Sequence, residues 1–140
     1  MNSPTSGDFC VIGYDRKEYW AKMLQLCRQK LDEIGLFNIK IWGCETSGLN
    51  PIQADWIKYF SDNKYIDMFT SHKYAYKAGI DAGYVEVIKD ALKYKPFVLS
   101  EFGQCYSMEK YEWERNNVQL FIDMANLGVS GLLIWCLCGM

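Results

Sequence analysis

Apolar residues along the chain follow two alternating patterns. A spacing of three or four residues, typical of amphipathic helices, gives way four times to a short continuous apolar run, typical of a buried strand. The predicted order is therefore (αβ)4, within a single domain that covers residues 1–140. Alternating helices and short strands favour an α/β fold with a parallel sheet and right-handed crossovers.

The first two helices are bounded by capping signals. Asp15 and Glu18 form a capping box, Gly35 ends the first helix, and Asn50-Pro51 opens the second. The other two predicted helices cover 83–93 and 109–127. The residues expected to face the core are Trp20, Met23, Leu24, Cys27, Leu31 and Ile34, then Ile52, Trp56, Tyr59 and Phe60, then Val85, Ile88, Ala91 and Leu92, and finally Trp113, Leu120, Phe121 and Met124.

The four apolar runs predict strands over 39–44, 66–71, 97–101 and 131–138. Side chains alternate along a strand, and three of the runs end in a polar residue, namely Glu45, His72 and Glu101. Ligand sites of parallel α/β folds lie at this end of the strands, so these side chains are predicted to surround one pocket. The sets expected to share a face are Ile39, Ile41, Gly43 and Glu45; Ile66, Met68, Thr70 and His72; Phe97, Leu99 and Glu101; and Leu133, Trp135 and Leu137.

The last predicted strand, Gly131–Cys138, is apolar enough to be fully buried, yet no helix pattern follows it. A parallel sheet that ends on such a strand leaves an apolar edge exposed. We therefore expect the two edge strands, Ile39–Cys44 and Gly131–Cys138, to pair with a second copy of the chain. The predicted assembly is a homodimer that completes a closed barrel.

Composition excludes several classes of function. The chain is 50% hydrophobic with a formal net charge of −2, which suits a packed globular domain. Lys and Arg number 15 against 17 for Asp and Glu, so no basic surplus favours nucleic acid as a partner. No apolar run is long enough to span a bilayer, so no membrane partner is predicted. Aromatic residues make up 16%, more than a core of this size needs, and a ligand surface could use the excess.

Motifs for metals and nucleotides are missing from the sequence. Six cysteines contain no C-x-x-C pair, and His72 is the only histidine, so no metal site is predicted. The cysteines are interpreted as small buried thiols. Without a G-x-G-x-x-G or P-loop motif, no nucleotide cofactor is expected, and without a G-x-S-x-G elbow no serine hydrolase triad is expected. The prediction is a protein without cofactors.

Three strand segments together resemble one enzyme family. Val98–Gly103, with the sequence VLSEFG, resembles the seventh-strand motif of clan A glycoside hydrolases, the cellulase-like (family 5 type) barrels. Ile66–Tyr74 is similar to the sixth strand, which ends in His-x-Tyr, and Gly131–Trp135 is similar to the eighth. The resemblance spans strands five to eight of that barrel. It implies half of a (βα)8 TIM barrel with four parallel strands.

The resemblance implies roles for residues at the strand ends. Glu101 would be the nucleophile of a retaining glycosidase, with His72 and Tyr74 as its orienting partners. Trp135 would form a stacking platform for a sugar ring. Tyr76 and Tyr106 are further candidates for sugar stacking, because aromatic rings pack on pyranose faces. The expected substrate is a β-linked carbohydrate.

The second carboxyl group of a retaining site is harder to place. The family carries its general acid/base in an Asn-Glu-Pro motif, whereas the corresponding segment here is Asn2-Ser3-Pro4, with Ser3 at the acid position. Glu45 is an alternative acid/base, but two strand spacings of ~4.8 Å separate its strand from that of Glu101, against the ~5 Å between carboxyl groups in a retaining pair. Another Glu101, from a second copy, could serve instead. Three hypotheses stay open: a glycosidase half-barrel, a non-catalytic carbohydrate-binding or vestigial one, or a purely structural one that assembles with its own kind and has no ligand.

Overall fold

The structure, a computed structural model, describes residues 17–46, 51–75, 82–104 and 110–134. Helices and strands alternate throughout this part of the chain, in the predicted order. The elements are α1 Lys17–Glu33, β1 Trp42–Thr46, α2 Pro51–Tyr59, β2 Met68–Ala75, α3 Ala82–Leu92, β3 Phe97–Gln104, α4 Lys110–Asn126 and β4 Gly131–Ile134. Asp15 of the predicted capping box lies outside the described residues.

The four strands form one parallel sheet in the order β1-β2-β3-β4. Each strand therefore lies beside its neighbour in sequence, with a helix as the crossover, as the alternating pattern predicted. This architecture is α/β, and its repeating unit is that of a (βα)8 barrel. Strands β1 and β2 begin two to three residues later than expected, because Ile39 and Ile66 precede the first paired residues.

One face of the sheet packs against the helices and forms the core. Strand residues Phe69, Phe97, Leu99 and Phe102 are fully buried there. The helices contribute Trp20, Leu24, Trp56, Ile57, Tyr84, Ile88, Ala91, Leu120 and Met124, and Phe60 joins them directly after α2. Among these, the rings of Trp20 and Trp56 meet edge to face with centroids 6.4 Å apart.

Several residues predicted to face the core are exposed instead. Ile34 lies beyond the end of α1, Tyr59 is the last residue of α2, and Phe121 lies on the outer side of α4. Trp56 and Phe60 are buried as predicted, whereas Ile57 of α2 lies in the core in place of Tyr59. Cys27 is also exposed, which corrects the interpretation of that cysteine as a buried thiol.

Strand β4 departs from its prediction as well. Leu133 is 50% exposed and Ile134 is 39% exposed, so the described part of this strand is not fully buried. The reason is its position at the edge of the described sheet, where β3 is its only paired neighbour. Residues 135–138 of the predicted strand lie outside the described residues.

Two glycines end helices as backbone geometry requires. Gly35 and Gly128 have φ angles of 79° and 86°, the left-handed conformation that glycine adopts without a steric penalty. Leu36 N donates to Leu31 O at 2.8 Å, which is the hydrogen bond between the first and sixth residues of a Schellman motif.

Within the described residues, no helix is long and apolar enough to cross a membrane.

Candidate functional site

The pairing of β2 with β3 changes register in the middle of both strands. Ser71 pairs with Leu99, but the next residue, His72, pairs with Glu101. Strand β3 therefore contains one more residue than β2 at this point, namely Ser100. A residue inserted in this way forms a β-bulge, which rotates the following side chains to the opposite face of the strand.

The bulge decides which side of the sheet carries Glu101. Phe97 and Leu99 lie on the helix-covered face, and regular alternation would place Glu101 with them. Because the register shifts, Glu101 pairs with His72 and lies on the opposite face, which we name the open face. The prediction that Phe97, Leu99 and Glu101 share one face is therefore wrong.

On the open face, Glu101 and His72 are in contact. The Nδ1 atom of His72 lies 3.4 Å from Oε2 of Glu101, a distance at which the pair is ionic when the imidazole is protonated. The His72 side chain is 17% exposed and the Glu101 side chain 30%, so both are partly desolvated and still reachable from solvent. The predicted association of this carboxylate with this imidazole is present in the geometry.

Three hydroxyls donate to carbonyl groups of β2 beside this pair, and one of them is Ser71 Oγ, at 3.4 Å from the carbonyl oxygen of His72. Ser100 Oγ donates to the carbonyl oxygen of Ser71 at 3.3 Å, and Tyr84 Oη donates to the carbonyl oxygen of His72 at 2.8 Å. The Nζ atom of Lys73 lies 4.4 Å from the centroid of the Tyr84 ring, a cation–π contact. A buried residue of α3 thus reaches across to the strand that carries His72.

The structure leaves the other predicted site residues undetermined. Glu45 lies in β1 and Tyr74 in β2, where Tyr74 pairs with Gly103, but both side chains fall outside the description. Tyr76, Tyr106 and Trp135 lie outside the described residues altogether. Glu45 and Glu101 are the two carboxylates of the four strands, on β1 and β3, and β2 separates them as expected.

In the described part of the chain, no group of three or more His, Cys, Asp or Glu side chains could hold a metal ion. The reactive groups that lie together on the open face are the carboxylate of Glu101 and the imidazole of His72. Such a carboxylate can act as a nucleophile or as a hydrogen-bond acceptor for a hydroxyl-rich ligand, and the imidazole can orient it.

Comparison with known proteins gives the fold a context. Neither a protein-family model nor a curated protein matches the sequence. A GH128 (subgroup VI) exo-β-1,3-glucanase from Aureobasidium namibiae is similar in structure, with a TM-score of 0.63 and 19% identity, over 89% of this chain and 50% of that one. A hyperthermostable endo-1,4-β-D-mannanase from Thermotoga petrophila has a TM-score of 0.58 and 21% identity, over 89% of this chain and 41% of that one.

The fold is half a (βα)8 barrel. The chain spans about half the length of these two glycoside hydrolases. At this level of identity, the similarity concerns the fold and not the reaction.

Sequence reasoning missed the residues that build the bulge. Ser100 is a polar residue at the end of the apolar run Phe97–Leu99, and this break in hydrophobicity is the signal that could have indicated it. Tyr84 is buried on α3 but was absent from its predicted stripe. Asn116 and Asn117, both buried on α4, were missed as well, and nothing in the spacing of apolar residues indicates them.

Proposed function

We propose that the chain is the nucleophile-bearing half of a retaining glycosidase that acts on β-linked sugars. The observation that supports this most directly is the contact between His72 and Glu101 on the open face of a half-barrel sheet. The two similar structures are, by their names, a β-1,3-glucanase and a β-1,4-mannanase, which makes β-linked glycans the substrates to test.

In the proposed reaction, a carboxylate oxygen of Glu101 attacks the anomeric carbon of the sugar. The bond from that carbon to the leaving oxygen breaks, and a glycosyl ester of Glu101 forms. Water then attacks the same carbon, the bond from that carbon to Glu101 breaks, and the carboxylate returns while the proton of the water passes to solvent. His72 holds the carboxylate in place during both steps, and the proposed roles of Tyr74, Trp135, Tyr76 and Tyr106 are orientation and sugar stacking.

The second carboxyl group determines how this proposal is best tested. A retaining site needs two carboxyl groups ~5 Å apart, one of which protonates the leaving oxygen. Among the described side chains of the four strands, Glu101 is the single carboxylate. A dinitrophenolate leaving group departs without protonation, so dinitrophenyl β-glycosides require the nucleophile but not the acid.

The experiment measures dinitrophenolate release from dinitrophenyl β-glucoside and β-mannoside by the full chain. We expect turnover or a stoichiometric burst that Glu101→Gln reduces at least ~100-fold, because an amide is a far weaker nucleophile than a carboxylate. Glu112→Gln, on the exposed side of α4, is the matched control and should leave the rate unchanged. A rate that Glu101→Gln does not reduce contradicts the proposal.

A non-catalytic, carbohydrate-binding half-barrel is the second candidate, and Ser3 at the position of the family's general acid favours it. It predicts affinity for β-glucan or β-mannan oligosaccharides without release of dinitrophenolate. Calorimetric titration of the same oligosaccharides with wild type and Glu101→Gln separates the two candidates. Binding without any burst would establish the second and reject the first.

We also propose that a second copy of the chain completes the barrel. Trp42 on β1 is 47% exposed and pairs in register with Met68, while Leu133 lies on β4, so apolar side chains occupy both edge strands of the described sheet. A two-fold axis parallel to the strands would place β4 of each copy beside β1 of the other. The two new strand pairs would both be parallel. Each copy would then supply a Glu101 to one cavity.

Sedimentation equilibrium tests this assembly. We expect a dimer at micromolar concentration, and Leu133→Lys should weaken it at least ~10-fold by placing a charge at the new strand pair. Tyr94→Lys changes an exposed apolar residue between α3 and β3, away from both edge strands, and should leave the dimer intact. A wild-type chain that sediments as a monomer at this concentration contradicts the assembly.

A further inference from the structure

Two consecutive carbonyl groups of β2 accept hydrogen bonds from side-chain hydroxyls at the point where the register shifts. Ser100 Oγ donates to Ser71 O at 3.3 Å, and Tyr84 Oη donates to His72 O at 2.8 Å. One hydroxyl comes from the neighbouring strand and the other from α3, so the same short segment is held from two elements.

These bonds lie where a regular strand ladder is interrupted. A bulge leaves its extra residue out of the pairing, and buried backbone groups at such a point need other partners. Ser71 is fully buried, and its carbonyl accepts a hydrogen bond from the hydroxyl of Ser100, the inserted residue itself.

Tyr84 is fixed in position before it reaches the strand. Its side chain is buried in the core among the helices, and the ammonium group of Lys73 lies over its ring. Because Lys73 follows His72 directly, Tyr84 contacts two successive residues of β2, one through its hydroxyl and one through its ring. The carbonyl of His72 is thus tied to a rigid part of the fold.

We propose that Ser100 and Tyr84 are positioning residues that hold the bulge and keep His72 against Glu101 on the open face. The inference deepens the proposed function, since it concerns the same pair. In this role the two hydroxyls maintain the geometry of the His72–Glu101 pair and do not contact a substrate. If the bulge relaxed to a regular strand, Glu101 would return to the helix-covered face, away from His72.

The single histidine provides a direct measurement. His72 is the only histidine of the chain, so the Cε1 proton signal of one imidazole reports its titration by NMR without further assignment. A carboxylate beside it favours the protonated ring, so Glu101→Gln should move the titration midpoint to lower pH. This variant sets the scale on which the positioning variants are judged.

On that scale, Tyr84→Phe keeps the ring and its contact with Lys73 but removes the hydroxyl. We expect the titration midpoint of His72 to shift in the same direction as in Glu101→Gln, by at least a third as much. The reason is that His72 would move away from the carboxylate. Ser100→Ala should do likewise, and Ser100→Thr, which retains a hydroxyl, should restore the wild-type midpoint. Tyr94→Phe, at an exposed tyrosine, is the control and should not move it.

The outcome does not depend on turnover. A wild-type midpoint in folded Tyr84→Phe and Ser100→Ala overturns the inference, and so does an unchanged midpoint in Glu101→Gln. If Tyr84→Phe fails to fold by circular dichroism, the Ser100→Ala and Ser100→Thr pair decides. Expected shifts in a chain that releases no dinitrophenolate would uphold the positioning role and reject only the glycosidase proposal.

Discussion

The two faces of the sheet are built on different principles, and β3 shows both in neighbouring residues. Phe102 is fully buried against the helices, whereas the Glu101 side chain, one position earlier, is 30% exposed beside His72. On the helix-covered face, aromatic and aliphatic side chains fill the space between sheet and helices. On the open face, the contacts around Glu101 include an imidazole, and hydroxyls hold the backbone beside it.

This difference separates stability from proposed function at the level of single residues. Removal of apolar surface from water supplies most of the free energy of folding, and that surface lies mainly on the helix-covered face. A partly exposed carboxylate contributes little to the free energy of unfolding but can meet a ligand. Substitutions on the two faces should therefore affect different measurements.

The largest expected effect comes from the direct comparison of Phe102→Ala with Glu101→Gln. Phe102→Ala leaves a cavity in the core and should reduce the free energy of unfolding by ~3–5 kcal/mol, a large share of the total stability of a small domain. Glu101→Gln, its neighbour, should change it by less than ~1 kcal/mol. Urea unfolding followed by tryptophan fluorescence measures both. Equal losses for the two variants would contradict the division between the faces.

A smaller effect is expected at two of the strand glycines, Gly43 and Gly131, one on each face. Gly43 pairs with Phe69 on the helix-covered face, and a β-carbon there would lie 3.0 Å from the side chain of the buried Ile66. Gly131 pairs with Val98 on the open face, and a β-carbon would meet Val98 at an ordinary 3.4 Å.

Gly43→Ala should therefore cost ~1–3 kcal/mol through overpacking, while Gly131→Ala should change stability by no more than ~0.5 kcal/mol. Thermal unfolding of the two variants at equal protein concentration provides the measurement. A loss at Gly131 as large as that at Gly43 would mean that the open face of β4 is as tightly packed as the core.

Much of the fold follows from the spacing of apolar residues. The order (αβ)4, the parallel sheet and the glycine that ends α1 are all properties of local sequence, and they are confirmed. Boundaries were less accurate, because a strand begins where a neighbour pairs with it and not where the apolar run begins. Ile39 belongs to an apolar run, yet it precedes the paired part of β1.

The candidate site could be predicted only in part, for a specific physical reason. Strict alternation of side chains assumes a regular strand, and a single inserted residue reverses the faces beyond it. His72 and Glu101 were expected in one pocket and are in contact, but alternation placed Glu101 on the face of Leu99, which packs against the helices. The hydroxyl of Tyr84 reaches His72 through tertiary packing, which no local pattern encodes.

The smallest expected effect concerns a polar contact at the opposite end of the sheet from His72 and Glu101. Asp67, just before β2, accepts hydrogen bonds at 2.8 Å from Lys40 Nζ and from the amide of Ile41. Partial burial acts to raise the pKa of Asp67, but these two hydrogen bonds, together with the positive charges of Lys40 and Arg28, outweigh it and hold the pKa below the usual 3.8. Since the folded state then binds the proton less tightly than the unfolded state, the contact stabilises the fold above about pH 4, and this contribution is lost as the pH falls below that value.

Asp67→Asn should therefore lower the free energy of unfolding by ~0.5–1 kcal/mol at pH 6, a modest value because the Lys40 side chain is largely exposed. At pH 3 the variant and the wild type should differ less, since this pH lies below the unfolded-state pKa of 3.8 and the stabilisation by the charged carboxylate is then reduced. Asp62→Asn, at an exposed position in the turn before β2, is the control and should show no such convergence. A difference at Asp67 that stays constant from pH 6 to pH 3 would show that the contact acts through packing instead of charge. In that case this end of the sheet would be stabilised by packing, like the helix-covered face, and not by polar contacts like those of the open face.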